Sequence, residues 1–255
     1  MPDIMSSTTA SLTGEQIVEL CRRHTLFEWS AQAAVDPIPV AHAKGIYFYT
    51  PEGKRFIDFN SQLMCVNIGH GDERVIQAIK NQAETLPYAN PFMATEVRGR
   101  LSVKLAELTP GDIDVFFFTT GGAESTENAI RLARLSTGRH KIGARYRGYH
   151  GGTAGSLTLT GDPRRWAAEP GSPGVFRIPD FSHGIQKGWD TTEDVLARTE
   201  EVLELEGAKT IAALIVEPVV GTNGILIPPD GYMQGLRDLC DKYGILLIAG
   251  DETFI

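Results

Sequence analysis

The apolar and polar positions of this chain change period twice. From Gly14 to His24, residues Ile17, Val18, Leu20 and Cys21 form one apolar side behind a Thr13 cap, which predicts a short helix. An irregular aromatic stretch, His24 to Ser30, leads through Pro37 and Pro39 into Gly45 to Phe59. There two apolar runs flank Thr50-Pro51-Glu52-Gly53 and predict a β-hairpin. Asn60 to His70 has no period, and His70 reads as a hydrogen-bonded structural histidine. Asp72 then caps a helix with Val75, Ile76, Ile79, Ala83 and Leu86 on one face, and a further helix is expected from Thr95 to Leu108, stopped by Pro110-Gly111.

From Val115 the pattern becomes strand alternating with helix, the signature of a mostly parallel sheet covered on both faces, so the fold class is α/β. The expected strands are Val115 to Thr119, Lys141 to Tyr146, Ser156 to Thr160, Val175 to Pro179, Ile211 to Glu217 and Ile245 to Ala249. Helices are expected after Gly121-Gly122 to about Thr137, over Thr192 to Glu206 and from Asp230 to Tyr243. The stretch Thr119 to Arg131 is a strand end, a glycine turn and a helix N-terminus in succession. The first amides of such a helix are unpartnered and face the turn, so the stretch is either an anion site or an ordinary strand-to-helix connection.

Composition narrows the partners. The chain has 255 residues, 42% hydrophobic and 22% charged, with a formal net charge of -8 and no run of Lys or Arg to follow a phosphate backbone, which disfavours nucleic acid. Cys21, Cys65 and Cys240 are far apart and lack metal-ligand spacing, so no metal and no disulfide framework is expected. Met1 to Thr13 has neither the basic start nor the apolar core of a signal peptide, and no stretch nears the roughly 20 apolar residues of a membrane span. The expectation is a cytoplasmic protein with a flexible tip.

Ligands of open α/β sheets bind outside the carboxyl ends of the strands. At those ends stand Gly121-Gly122-Ala123, Tyr149-His150-Gly151-Gly152, Glu217-Pro218-Val219-Val220-Gly221 and Asp251-Glu252. An anion cradle, an aromatic plane and two carboxylates suit a flat, phosphorylated heteroaromatic whose ring nitrogen is kept protonated, which describes pyridoxal phosphate. Neither G-x-G-x-x-G nor G-x-x-x-x-G-K-[ST] occurs.

These segments, with Tyr49-x-x-x-Gly53-Lys54-Arg55-Phe56-Ile57-Asp58, Asn67-Ile68-Gly69-His70 and Gly244 to Ala249, resemble the class III, or ω-amino-acid, pyridoxal-phosphate-dependent aminotransferases of fold type I, from about Thr25 to Glu252. The resemblance implies phosphate contact from the Gly122 and Ala123 backbone after Gly121, stacking by Tyr149 beside His150, Glu217 on the cofactor oxygen side, and Asp251 on the pyridine nitrogen. It implies a substrate pocket lined by Phe27, Trp29, Leu63 and Met64, with Met64 where relatives commonly carry an aromatic. It divides the chain into a 1–70 segment of the small domain and a partial cofactor-binding large domain over 71–255, and it implies a homodimer.

Two departures stand out. Gly250 looks inserted before Asp251-Glu252, and Thr253 replaces a valine that would pack on the cofactor's second face. The lysine that forms the Schiff base follows the Asp-Glu segment in the family, beyond these 255 residues, and none of the eight lysines present is a convincing substitute; Lys187, in a loop, is the one worth naming. The expected function is transfer of an amino group from an ω-amino acid or amine to a keto acid such as pyruvate, with the chain alone inactive. The alternative is a non-catalytic remnant that binds the cofactor weakly or pairs with a full-length partner. Transfer inside one molecule is a minor alternative.

Overall fold

The computed structural model describes residues 11–181, 191–221 and 223–250. They form two compact units divided between Leu101 and Ser102.

In the first unit, α1 (Gly14–His24) begins where the sequence places it. Thr13 Oγ1 accepts from Gln16 N at 3.3 Å and Gln16 Oε1 accepts from Thr13 N at 2.9 Å, so two helix-end amides are satisfied reciprocally. The hairpin is β2 (Tyr47–Tyr49) with β3 (Arg55–Ile57), and a third antiparallel strand, β1 (His42–Lys44), joins β2 at its other edge. Three residues reading His-Ala-Lys carry no alternation, so β1 left no sequence signal. It is held by the ladder and by His42 stacked on Tyr49 at 4.5 Å.

The aperiodic stretch after β3 contains a left-handed turn, Ser61–Met64, with φ between 50° and 65°. That conformation costs roughly 1–2 kcal/mol per non-glycine residue, so neighbouring groups must impose it. Asp58 does so: one carboxylate oxygen accepts from Gln62 N at 3.1 Å and the other lies 2.6 Å from His70 Nε2. The His70 main chain is bonded in both directions to Gly45, at 2.8 and 2.9 Å, giving His70 the structural role expected of it. Helix α2 (Glu73–Thr85), capped by Asp72, follows, and α3 (Glu96–Ala106) runs across the division between the units.

The second unit is built on a four-stranded parallel sheet in the order β5 (Val175–Ile178), β4 (Lys141–Arg145), β6 (Ile211–Val216), β7 (Leu246–Ala249). Side-chain alternation decides what covers each face. Ile142, Ala144, Ala213 and Ile215 pack under α4 (Gly122–Thr137) and α5 (Ala154–Leu159) through Ile130, Ala133 and Leu159. Phe176, Ile178, Leu214 and Val216 pack under α6 (Thr192–Leu205) and α7 (Tyr232–Tyr243). All six β6 residues are buried, so the strand is uniformly apolar. The fold is therefore α/β with helices on both faces of a parallel sheet, as the sequence predicts.

Two expected strands are absent. Val115 to Thr119 joins no ladder among the described residues, and Val115 and Phe117 are 86% and 65% exposed. An apolar run specifies a strand only when a neighbouring strand takes its amides, and no strand of the β5-β4-β6-β7 sheet does so. Ser156 to Thr160 belongs instead to the helix α5 and its C-cap. Ser156 Oγ accepts from Thr153 N at 3.0 Å, and Glu127 Oε1 from α4 accepts from Gly155 N at 2.7 Å and Ser156 N at 3.2 Å. Satisfied helix-end amides outweigh the strand preference of Thr158 and Thr160.

Candidate functional site

The carboxyl ends of β4 and β6 and the first turn of α4 carry the chemistry of the second unit. Helix α4 starts from Gly121, which has no side chain to cap it, so the amides of Gly122 and Ala123 have no partner inside the helix. Glu124, in the first turn, reaches back to Thr120, accepting from its N at 2.9 Å and its Oγ1 at 2.6 Å. With the positive end of a 16-residue helix behind it, the turn favours an anion. The loop after β4 closes on this turn through Gly151, whose φ is +123°. A Cβ there would lie 2.8 Å from Ala123 Cα and 2.7 Å from Ala123 Cβ, so only glycine allows the approach.

Glu217, just past β6, is 3% exposed and holds two loops together. Its Oε1 accepts from Tyr149 N and its Oε2 from Gly221 N, each at 2.7 Å. Arg145, at the end of β4 and 1% exposed, donates through Nη2 to the Glu217 carbonyl. The Glu217 carboxylate thus fixes the backbone that carries the Tyr149 ring. That ring is half-buried, with the Arg164 guanidinium 4.0 Å from its centroid.

His150 turns inward and is 2% exposed; its amide donates to Thr160 Oγ1 at 3.0 Å. Burial, followed by the nearby Arg145 and Arg177 charges, pushes its pKa from 6.5 down to about 3, so the imidazole is neutral at physiological pH. Arg177 is itself lowered to about 10, by burial and then by Arg165. Asp162, Arg164, Arg145 and Asn223 belong to the same neighbourhood and were not singled out from the sequence. A signal existed for two of them: Arg145 ends the run Ile142-Gly143-Ala144 with a charge, and Asp162-Pro163-Arg164 has the form of a helix cap, which the Asp162 side chain supplies by accepting from Arg164 N at 2.9 Å.

Tyr149, His150, Glu217 and the α4 turn are thus brought together in one unit. Asp251 lies outside the described residues, as does Lys187. The strand leading to Asp251 remains in its ladder through Gly250, whose amide donates to Val216 O at 2.9 Å. Phe27, Trp29, Leu63 and Met64 belong to the first unit. There Gln32 fastens Phe27 by bonds to both its N and O, Trp29 has φ 55°, and Leu63 and Met64 ride on the left-handed turn. Among the described lysines of the second unit, Lys141 opens β4 and pairs with Glu206, Lys209 precedes β6, Lys104 is on α3 and Lys242 on α7. Lys141, Lys209 and Lys242 do not stand at the carboxyl edge. No cluster of three His, Cys, Asp or Glu suited to a metal ion, and no helix long and apolar enough to cross a membrane, occurs among the described residues.

A helix N-terminus with open amides, a glycine that lets a loop reach it, and an aromatic ring fixed by a carboxylate fit a phosphorylated aromatic ligand. The family model of class III aminotransferases matches residues 30–253. The chain is 35% identical over 230 residues to an omega-aminotransferase of Caulobacter vibrioides, covering 83% of this chain and 51% of that protein. Its fold superposes with a TM-score of 0.86 at 39% identity on a taurine:2-oxoglutarate aminotransferase from Bifidobacterium kashiwanohense in complex with PLP and glutamate, covering 94% of this chain and 56% of that one. An (S)-enantioselective omega-transaminase from Thermomicrobium roseum gives 0.87 at 35% identity, covering 94% and 57%. The chain spans about half the length of the curated relatives it matches. Pyridoxal phosphate is the cofactor expected of such proteins.

Proposed function

Because the chain belongs to the class III aminotransferase family, we propose that it supplies the phosphate cup and ring platform for pyridoxal phosphate in a transaminase that moves an amino group from an ω-amino acid or amine to a keto acid such as pyruvate. The observation that carries this reading is the Glu217 clamp, which joins the Tyr149 loop to the β6 loop next to the open first turn of α4. When bound, pyridoxal phosphate supplies an electron sink for the carbon that exchanges its amino group.

The residues present divide the remaining work. Gly122 and Ala123 offer backbone amides to the phosphate, with Gly121 leaving the turn uncapped. Tyr149 offers a ring face, and Glu217 holds the Tyr149 backbone so that this face is set before any ligand arrives. His150, buried and neutral, adds no charge beside the phosphate. Asp251 is the carboxylate we assign to the pyridine nitrogen. Phe27, Trp29, Leu63 and Met64 are the side chains we assign to the substrate amine. Lys141, Lys209 and Lys242 do not reach the carboxyl edge; we assign covalent attachment and the proton shuttle to a lysine outside the described residues, and expect little or no turnover from these residues alone. The substrate class is supported by relatives named as an omega-aminotransferase and a hypotaurine/taurine–pyruvate aminotransferase.

Equilibrium dialysis with pyridoxamine 5′-phosphate and with unphosphorylated pyridoxamine tests the cofactor assignment, because neither has an aldehyde to react with surface lysines. Binding is expected only with the phosphate present. Equal binding of the two, or none of either at millimolar concentration, would refute it.

A further inference from the structure

Tyr149 is held from two directions. Its backbone is fixed by Glu217, and its ring lies under a guanidinium that is itself anchored. Arg164 Nε lies 3.0 and 2.9 Å from the two oxygens of Asp162, and its Nη2 also bonds to Oδ2. Asp162 is 6% exposed and its carboxyl is held below the usual range, burial opposing and the Arg164 hydrogen bonds outweighing it. The same carboxylate accepts from Asn223 Nδ2 at 3.4 Å, and Asn223 lies in the loop that follows Glu217. Asp162, Arg164, Tyr149, Glu217 and Asn223 therefore form a circuit joining the loops after β4, α5 and β6, with the aromatic ring as one of its members.

We infer that Arg164 is a positioning residue which covers one face of the Tyr149 ring and fixes its plane for stacking against the cofactor ring. This rests on the cofactor reading above. A guanidinium at 4.0 Å from a ring centroid is within cation–π range, and its fork on a buried carboxylate stops it from drifting off the ring. Lysine cannot replace it fully, since an ammonium lacks the fork that engages both oxygens of Asp162 while its charge stays over the ring.

Arg164→Met keeps the length and removes the charge; Arg164→Lys and Asp162→Asn serve as second variants, with far-UV circular dichroism confirming the fold of each. The first readout is pyridoxamine 5′-phosphate affinity by dialysis, where Arg164→Met is expected to weaken binding by about fivefold and Arg164→Lys by less. The second is the Tyr149 ring-flip rate in the ligand-free chain, by NMR with Tyr149→Phe for assignment, expected to rise in both Arg164→Met and Asp162→Asn. Unchanged or tighter binding by Arg164→Met would overturn the inference, because Arg164 would then be idle or would occupy the cofactor's own face. If the unsubstituted chain binds no ligand, the cofactor reading fails. The ring-flip measurement then still decides whether Arg164 orders the ring, and an unchanged rate refutes that too.

Discussion

Acidification from pH 7 to pH 5 should destabilise the second unit, chiefly through one residue, His150. In the folded chain this imidazole is 2% exposed and takes a proton only near pH 3. In the unfolded chain it takes one near the ordinary 6.5. Between those values the unfolded state holds a proton that the folded state lacks, so stability is intact above pH 6.5 and falls as pH drops below it. Each pH unit in that window costs about 1.4 kcal/mol, which sums to about 2 kcal/mol at pH 5. The carboxylates with lowered pKa, such as Glu127 and Asp162, lose little there, because they are mostly ionised in both states at pH 5. Urea unfolding at pH 5, 6 and 7, with hydrogen exchange of the β4 amides to locate the change, measures the effect. His150→Gln cannot be charged and should abolish most of the pH dependence, whatever its stability at pH 7. Parallel losses in His150→Gln and the unsubstituted chain between pH 7 and 5 would show that burial of His150 is not what makes this fold acid-sensitive.

Three further outcomes follow from the same geometry. Glu217→Gln keeps the shape but sets an NH2 group against a backbone amide, and should lower stability by about 2–3 kcal/mol, with faster hydrogen exchange at Tyr149 and Gly221. Gly161→Ala would place a Cβ 2.2 Å from Tyr146 O and 2.3 Å from Arg145 O, backbone atoms that cannot step aside; thermal melting should show a loss of about 3 kcal/mol or more, whereas Gly152→Ala, which meets nothing within 4 Å, should melt within about 0.5 kcal/mol of the original. Asp58→Ala removes the group that pins the left-handed turn, and should speed proteolytic cleavage between Gln62 and Val66 roughly tenfold, one charge-assisted bond's worth.

Periodic burial was the part of the fold that could be read in the sequence. The Thr13 and Asp72 caps, the hairpin, α4, α6, α7 and the strands β4 to β7 all lie where apolar period and capping residues agree. What failed was decided by partners remote in sequence. Val115 to Phe118 looks like a strand because its side chains are apolar, yet a strand also needs a ladder. Thr158 and Thr160 favour extended backbone, yet Glu127, some 30 residues away, satisfies the α5 amides. Nothing local announces either outcome.

The site shows the same division one level up. Residue types at strand ends pointed to a phosphorylated flat ring, because the carboxyl edge of a parallel sheet gathers its ligands whatever the details, and the family came from motifs spread along the chain. What each side chain does there depends on where its polar atoms find partners. Glu217 was expected beside a cofactor oxygen, and both its oxygens accept from backbone amides at 2.7 Å; His150 sits next to Tyr149 in sequence and turns the opposite way, into a core where it stays neutral. The ring platform gets its rigidity from residues outside the recognised motifs, Asp162 and Arg164, joined across loops by Asn223. A ring can serve as a stacking surface only if its plane does not turn, so on the proposed reading these residues matter to the site as much as the glycines of the α4 turn.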